Sequence, residues 1–341
     1  MRELDRALAD ALARRDLSEA QMAAVLDEAV RGEADPVCLG ALLVALRMKG
    51  ESRAELVGAA RFLLRHAVPV DVGLRPVTDM VGTGGDGGAS FNVSTTAAFV
   101  AAGAGVVMAK HGNRAVSGKS GAADVLAACG FDLACPPEAM ERAIAEVGIG
   151  FLFAPRLHPA FATVAPVRKA LGVRTLFNLL GPLVNPTRPA AAVIGVYDAA
   201  LTELMAGALH DLGVKRALIV HGHDGLDEFT VTAPSRVTAL DPEGGLHTRE
   251  LFPEILFGQR FPAADIRGGT PEENAARLRA VLEGRDRGGA RAIVALNAAA
   301  AIFVSGRAPS IEEALPMAER AIDSGAALAK LSALVEASHV A

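Results

Sequence analysis

The sequence predicts an α/β protein, a small helical N-terminal domain followed by a large α/β domain with a mainly parallel central sheet. Three observations predict it. Short amphipathic segments with clear start and stop signals fill residues 1–70. A strand, a glycine-rich loop, a helix and a second strand then follow one another between Val77 and Ala109, the order of a β-α-β unit. The composition is 51% hydrophobic but only 4% aromatic, which suits small aliphatic side chains on helices and parallel strands better than a β-sandwich.

The helical part is punctuated by capping patterns. Ser18 with Gln21, and Ser52 with Glu55, read as capping boxes. Asp35-Pro36 places an N-cap before a proline at the first helical position, and Gly50 stops that helix. The domain ends near the polar turn Pro69–Pro76, so residues 71–341 form the α/β domain. The stretch 155–190, rich in Pro, His and Arg, interrupts the strand pattern and is expected to return to the N-terminal helices and complete their domain.

Within the α/β part, Val77–Val81 is the first strand, Ser94 or Thr95 is expected to cap a helix running through Val100, and Val106–Ala109 is the second strand. Ala192–Val196, Arg216–Val220 and Ala292–Leu296 are further strand candidates. Helices are expected over Leu201–Leu212 and from Thr270-Pro271-Glu272-Glu273.

Bulk properties exclude several classes of function. A net charge of −5 argues against an extended grip on nucleic acid or an anionic membrane surface. The longest apolar run, the 13 residues Ala97–Ala109, is broken by glycines. A bilayer span needs about 20 residues. The charged N-terminus has no signal-peptide core. Cys38, Cys129 and Cys135 form no C-x-x-C pair and are odd in number, so reduced thiols in a cytoplasmic protein are expected.

Three segments carry chemistry. The loop Gly82-Thr83-Gly84-Gly85-Asp86-Gly87 follows a strand, where glycines let backbone N–H groups turn toward an anion and the next helix adds its positive end. By itself it could equally be a tight turn. The segment after it, Ser90-Phe91-Asn92-Val93-Ser94-Thr95-Thr96, holds more hydroxyls than capping requires, which favours a ligand. Lys110-His111-Gly112-Asn113-Arg114-Ala115-Val116-Ser117 comes directly off a strand, at the sheet edge where open α/β proteins bind ligands. Lys110 and Arg114 would neutralise phosphate charge there, although a solvated basic turn is the plainer alternative. Asp224-Gly225-Leu226-Asp227-Glu228 also follows a strand. Its carboxylates are a solvated turn in isolation, but beside two phosphate loops they suit Mg²⁺ bridged to substrate phosphates. His221 and His223 lack a third soft ligand and are read as a strand end and a turn.

Taken in order, GTGGDG, FNVST, KHGNRAVS, SGAADVL and DGLDE, with His158-Pro159-Ala160, Ala165-Pro166-Val167-Arg168-Lys169 and the run Phe177–Pro186, closely resemble the anthranilate phosphoribosyltransferases over essentially the whole chain. The resemblance implies a nucleoside phosphorylase/phosphoribosyltransferase-like fold with the site at the hinge between domains, and a homodimer. It implies transfer of the phosphoribosyl group of phosphoribosyl pyrophosphate to the amine of anthranilate, in tryptophan biosynthesis, with release of pyrophosphate. By motif position, Gly82, Gly85, Asp86, Ser90, Asn92, Val93, Ser94 and Thr95 would hold the phosphoribosyl pyrophosphate, and Lys110, His111, Gly112, Asn113, Arg114, Ala115, Val116 and Ser117 would cover it. Ser94, Asp227 and Glu228 would place Mg²⁺, about two ions per subunit by the same resemblance. Gly82, Asn113 and Arg168 would meet anthranilate, and His111, His158 and Pro182 would line its entry path. The chain departs from the family's usual pattern at Gly118 and Ala122, where hydroxyls that could contact phosphate are missing, and at Ser90, where threonine is common.

The implied chemistry needs positioning and charge stabilisation more than acid–base catalysis, so no catalytic side chain and no covalent intermediate are expected. The alternative is a pyrimidine nucleoside phosphorylase-like enzyme, which shares the architecture and the phosphate loop; no matching base-recognition motif is present. A nucleic-acid-binding relative of the same fold would show a basic face and loss of the Asp227-Glu228 pair, and this chain has neither.

Overall fold

The computed structural model describes residues 2–84, 90–115 and 118–340. Gly85, Asp86, Val116 and Ser117, all expected at the site, lie outside the described residues.

The chain begins with four helices, α1 (Glu3–Leu12), α2 (Glu19–Val30), α3 (Pro36–Lys49) and α4 (Arg53–Arg65). Their caps form as the sequence dictates. The Ser18 and Ser52 hydroxyls accept from the Gln21 and Glu55 N–H groups, and both boxes are closed by the reciprocal side-chain bond. Asp35 caps α3 ahead of Pro36, and Gly50 ends it at φ 90°, a conformation that glycine alone adopts cheaply.

Next come β1 (Thr78–Gly82), α5 (Val93–Gly103), β2 (Met108–Gly112), α6 (Ala122–Ala128), α7 (Pro137–Glu146), β3 (Ile149–Phe153), α8 (Ala154–Leu157), α9 (Ala160–Leu171) and α10 (Leu176–Leu180). The remainder is β4 (Ala191–Gly195), α11 (Leu201–Asp211), β5 (Arg216–Gly222), β6 (Ser235–Leu240), β7 (Leu246–Leu251), α12 (Pro253–Phe257), α13 (Pro271–Leu282), α14 (Gly289–Val304), α15 (Ile311–Asp323) and α16 (Ala326–Ser338).

The strands form one sheet in the order β3-β2-β1-β4-β5-β6-β7, with the first five parallel and the last two antiparallel. The chain lays down β2 and β3 on one side of β1, then β4 and β5 on the other. The strand order therefore reverses at β1, which opens a crevice at the carboxyl ends of β1 and β4, where open α/β sheets bind ligands.

The pleat explains why β4 and the middle of β5 read as apolar runs. Val193, Leu218 and Val220 face a core shared with α5, α13, α14, α15 and α16, while Ala192, Ile194, Ala217 and Ile219 face a second core. That second core contains α1–α4 and α11, and it takes in Ala160, Val164, Leu176, Leu179 and Leu180 from α9 and α10. The N-terminal helices thus rest on one sheet face through continuous apolar packing, joined by the 155–190 segment.

Two expectations are corrected. Ala292–Leu296 is not a strand but part of α14, a 16-residue helix. A short buried apolar run does not distinguish strand from helix, and here the alanines of 290–301 decide for helix, being the best helix formers. Neither Ser94 nor Thr95 caps α5: the N-cap position is Asn92, whose side chain makes no capping bond. β3, β6 and β7 were not anticipated from the sequence.

Candidate active site

The parallel strands around the crevice end alike: β1 at Gly82, β2 at Gly112, β4 at Gly195 and β5 at Gly222. Gly82 and Gly195 pair directly across β1 and β4. Asp227 lies over both. A Cβ on Gly195 would fall 1.6 Å from the Asp227 carbonyl oxygen, and one on Gly82 would fall 2.1 Å from Asp227 Oδ2. Glycine is needed at these two positions for close approach. The floor of the crevice is therefore backbone, with an acidic residue laid on it.

The glycine loop is tied to that floor. Thr83 N–H donates to the Gly195 carbonyl at 2.9 Å, the Tyr197 N–H donates to Thr83 Oγ1 at 3.1 Å, and Gly84 N–H donates to Asp227 Oδ2 at 2.7 Å. The neighbouring carboxylate serves α5: Ser94 N–H donates to Glu228 Oε1 at 3.0 Å. Glu228 thus does for the α5 N-terminus what the sequence assigned to Ser94 or Thr95. Asp227 and Glu228 are only 7% and 9% exposed, so two carboxylates stand nearly out of water beside a half-buried serine. Asp224 is not their equal. It accepts from the hydroxyls of Thr230, at 2.6 Å, and Thr232, and so shapes the turn.

The hydroxyl-rich segment divides. Thr95 and Thr96 are buried, and Thr96 Oγ1 donates back to the Asn92 carbonyl at 2.9 Å, so part of the excess is structural. Asn92 Nδ2 donates to the Ser120 carbonyl at 3.1 Å, while its Oδ1 accepts from Ser120 Oγ and from Asn274 Nδ2 at 2.9 Å. Val93 is buried, and Ser90 forms an isolated bridge with Arg267.

The basic segment begins inside β2, which includes Lys110 and His111 instead of ending at Ala109 as expected. Lys110 is 3% exposed, and its Nζ donates to the Met80 carbonyl at 2.6 Å and, at 3.5 Å, to Ser94 Oγ. Burial pushes its pKa below the ordinary lysine value, against the opposing pull of Asp79, Glu228 and Asp227. Its ammonium is thus enclosed beside Ser94 rather than exposed on a loop. Arg114 is exposed and paired with Asp124 at 2.9 Å. Asp124, which the sequence did not single out, also accepts the N–H groups of Ala115 and Gly121 at 2.9 and 3.0 Å. Burial raises its pKa, but those N–H groups and Arg114 outweigh it and leave the carboxylate below its usual range. Asn113 is exposed, and its Oδ1 accepts the Arg114 N–H at 2.7 Å. Gly112 ends β2 against Phe151, where a Cβ would fall 2.7 Å from the ring.

From the end of β2 a line of rings leads away. His111 meets His158 edge-on at 5.2 Å, His158 meets Phe161 at 5.8 Å, and Phe161 meets Phe177 at 5.8 Å. The Arg168 guanidinium lies 5.4 Å over Phe177. His111 Nδ1 donates to the Gly181 carbonyl at 3.2 Å, which leaves Nε2 as the lone-pair nitrogen of the neutral ring. Burial drives His111 down to about 4. Burial and the neighbouring His111 take His158 down to about 3. Both rings are neutral at physiological pH. Burial also lowers Arg168, whose side chain makes no ion pair among the described residues. His221 and His223 bond to the Val196 carbonyl and to Glu250, in keeping with a strand end and a turn.

The whole chain matches known proteins. Residues 74–328 match the model of the glycosyl transferase family, a/b domain, and residues 5–67 that of the glycosyl transferase family, helical bundle domain. The anthranilate phosphoribosyltransferase of Moorella thermoacetica is 50% identical over 319 residues, 94% of each chain. That of Symbiobacterium thermophilum is 49% identical over 325 residues, 95% of each. Among solved structures, anthranilate phosphoribosyltransferase from Thermus thermophilus superposes with a TM-score of 0.91 at 43% identity, covering 98% of this chain and 99% of that one. The Saccharomyces cerevisiae enzyme in complex with PRPP and Mg gives 0.88 at 28% identity, covering 98% and 97%. Fold, motif order and near-full-length similarity agree, and the chain belongs to the anthranilate phosphoribosyltransferase family.

Proposed function

We propose that this chain is the enzyme that transfers the phosphoribosyl group of phosphoribosyl pyrophosphate to the amine of anthranilate, forming N-(5-phosphoribosyl)anthranilate and pyrophosphate in tryptophan biosynthesis. The observation that carries this reading is the line of rings from His111 to Phe177, which joins an acidic, glycine-floored crevice to a partly desolvated guanidinium. One end suits a phosphorylated, metal-bound sugar and the other an aromatic carboxylate. Arg168 would take that carboxylate, its planar fork matching it while Phe177 holds the guanidinium flat.

Gly82 and the start of α5, with Asn92, Val93, Ser94 and Thr95, would receive the pyrophosphate side. Lys110 supports that negative charge from below. Asp227, Glu228 and Ser94 would hold Mg²⁺: they are hard oxygen donors, and two nearly buried carboxylates side by side favour a cation. Among the described residues there is no group of three or more His, Cys, Asp or Glu that could hold a metal, and waters and substrate phosphates would supply further oxygens to Mg²⁺. A cation held there would supply charge neutralisation for the pyrophosphate leaving group. The neutral His111 and His158 would line the approach of the aromatic amine without adding positive charge beside it.

The same reading makes the enzyme a cytoplasmic homodimer. Leu12, Val37 and Met48, which are 69%, 80% and 75% exposed, leave an apolar surface on α1 and α3 for a second copy to cover. Among the described residues no helix is long and apolar enough to cross a membrane.

The test follows anthranilate fluorescence as it is consumed with phosphoribosyl pyrophosphate and Mg²⁺. Arg168→Ala should chiefly raise KM for anthranilate, and Asp227→Asn should change the Mg²⁺ requirement. Phosphorolysis of thymidine or uridine by the wild type, with no anthranilate consumption, would overturn the reading.

A further inference from the structure

The helix α14 is apolar along nearly its whole length, and its one fully buried polar side chain is Asn297. A primary amide sealed among alanine, isoleucine and leucine is costly unless its hydrogen bonds are made. Here they are made, and mostly outside its own helix. Asn297 Oδ1 accepts the Phe229 N–H at 3.1 Å, and Nδ2 donates to the Phe229 carbonyl at 2.8 Å and to the Ile293 carbonyl at 2.8 Å. The bond to Ile293 is a turn-back within α14, whose ladder is complete without it. The two bonds to Phe229 have no such redundancy.

Phe229 directly follows Glu228. The stretch 227–230 belongs to no helix or strand, so its backbone groups need partners from elsewhere. Asn297 provides them at residue 229, meeting both N–H and carbonyl as a neighbouring strand would. The next residue is fixed as well: Thr230 N–H donates to Ser235 Oγ at 3.1 Å. On the other side, Asp227 and Glu228 reach the Gly84 and Ser94 N–H groups at 2.7 and 3.0 Å. The acidic pair therefore hangs between an anchor in the core and two contacts in the crevice.

We propose that Asn297 is a positioning residue for this pair. By holding residue 229 at both backbone groups, it sets where the Asp227 and Glu228 carboxylates stand over Gly82 and Gly195, and hence the affinity of the site for a divalent cation. The proposal rests on the reading of Asp227 and Glu228 as the Mg²⁺-holding pair. Groups that orient metal ligands typically cost about 10–100-fold in metal affinity when removed.

The experiment measures Mn²⁺ dissociation constants in the presence of phosphoribosyl pyrophosphate by electron paramagnetic resonance, alongside KM for anthranilate and the thermal midpoint. It compares wild type, Asn297→Leu, Asn297→Asp, Asp227→Asn and the core control Ile293→Val. Asn297→Asp keeps the acceptor for the Phe229 N–H but sets an oxygen against the carbonyls of Phe229 and Ile293. Both Asn297 variants should weaken Mn²⁺ binding by about tenfold or more, with KM for anthranilate within about twofold of wild type. Ile293→Val should leave Mn²⁺ affinity unchanged. Hydrogen exchange on the wild type gives a measurement independent of variant folding: the Phe229 amide should exchange as slowly as the amides of α14. Fast exchange at Phe229 overturns the proposal, and so does unchanged Mn²⁺ affinity in folded Asn297 variants when Asp227→Asn has lost it. Unchanged affinity in Asp227→Asn overturns the reading of the acidic pair itself.

Discussion

Replacing Gly195 by alanine adds one methyl group at a point where the structure has no room for it. The new Cβ would stand 1.6 Å from the Asp227 carbonyl oxygen and 2.4 Å from its carbon. Non-bonded heavy atoms settle at about 3.5–4 Å, so a movement of about 2 Å is required. β4 cannot retreat, because Gly195 is in register with Gly82 on one side and Val220 on the other, and Ile194 beside it is fully buried. Asp227 must yield, and with it the bond from Gly84 N–H and the set of Glu228 against Ser94. Overpacking of this kind costs about 1–3 kcal/mol, and misplacing a site group by about 1 Å costs about 100-fold in rate. Gly195→Ala should therefore lose about two orders of magnitude in kcat/KM and require more Mg²⁺, with a modest fall in the urea midpoint. Gly40→Ala is the control: its Cβ would meet Leu171 and Val167 at an ordinary 3.6 Å inside α3, and alanine in a helix interior should add about 0.5–1 kcal/mol. A folded Gly195→Ala enzyme with wild-type rate and wild-type Mg²⁺ dependence would refute the close-packed floor.

Three further outcomes are expected. The His111 and His158 pKa values are depressed from 6.5 to about 4 and about 3, so below pH 6.5 the unfolded chain binds protons that the folded one refuses. Stability is then lost as pH falls from 6.5 toward 4, by about 1.4 kcal/mol per pH unit for each ring. His158→Phe should flatten that limb in urea unfolding followed from pH 7 to 4, and an unchanged slope would discount the buried histidines. Sedimentation equilibrium should find a dimer that Met48→Glu converts to monomer; a monomeric wild type at micromolar concentration rules the α1–α3 surface out as an interface. Ser52→Ala removes a closed capping box and should cost about 1 kcal/mol without altering KM for either substrate.

The features legible in the sequence were local ones. The caps at Ser18, Asp35, Ser52 and Thr270 depend on residues three positions away or nearer, and each forms as its spacing dictates. The strands β4 and β5 carry apolar residues on both faces, so their apolar runs stand out. β7 was not legible because most of its side chains face solvent. α14 was misread because five apolar residues look alike in either conformation. Within the site, the crevice-lining segments were visible as clusters of unusual residues. Asn274 and Asn297 were not, since each is a single polar residue on a helix with a partner distant in sequence. Lys110 was read as following a strand that ends at Ala109, whereas it lies within β2 with its ammonium buried against the Met80 carbonyl.

The reversal of strand order at β1 also governs how the protein comes into being. Until β4 is available, the side of β1 that carries the crevice is an unpaired edge, and β4 lies far downstream in the chain. A nascent chain or proteolytic fragment that stops short of residue 191 can pair β1 with β2 and β2 with β3, yet leaves the other edge of β1 open to foreign strands. The substrate cleft and the protection of that edge therefore arrive in one step. Such fragments should aggregate rather than retain partial binding, and late, long-range pairing should set the pace of refolding.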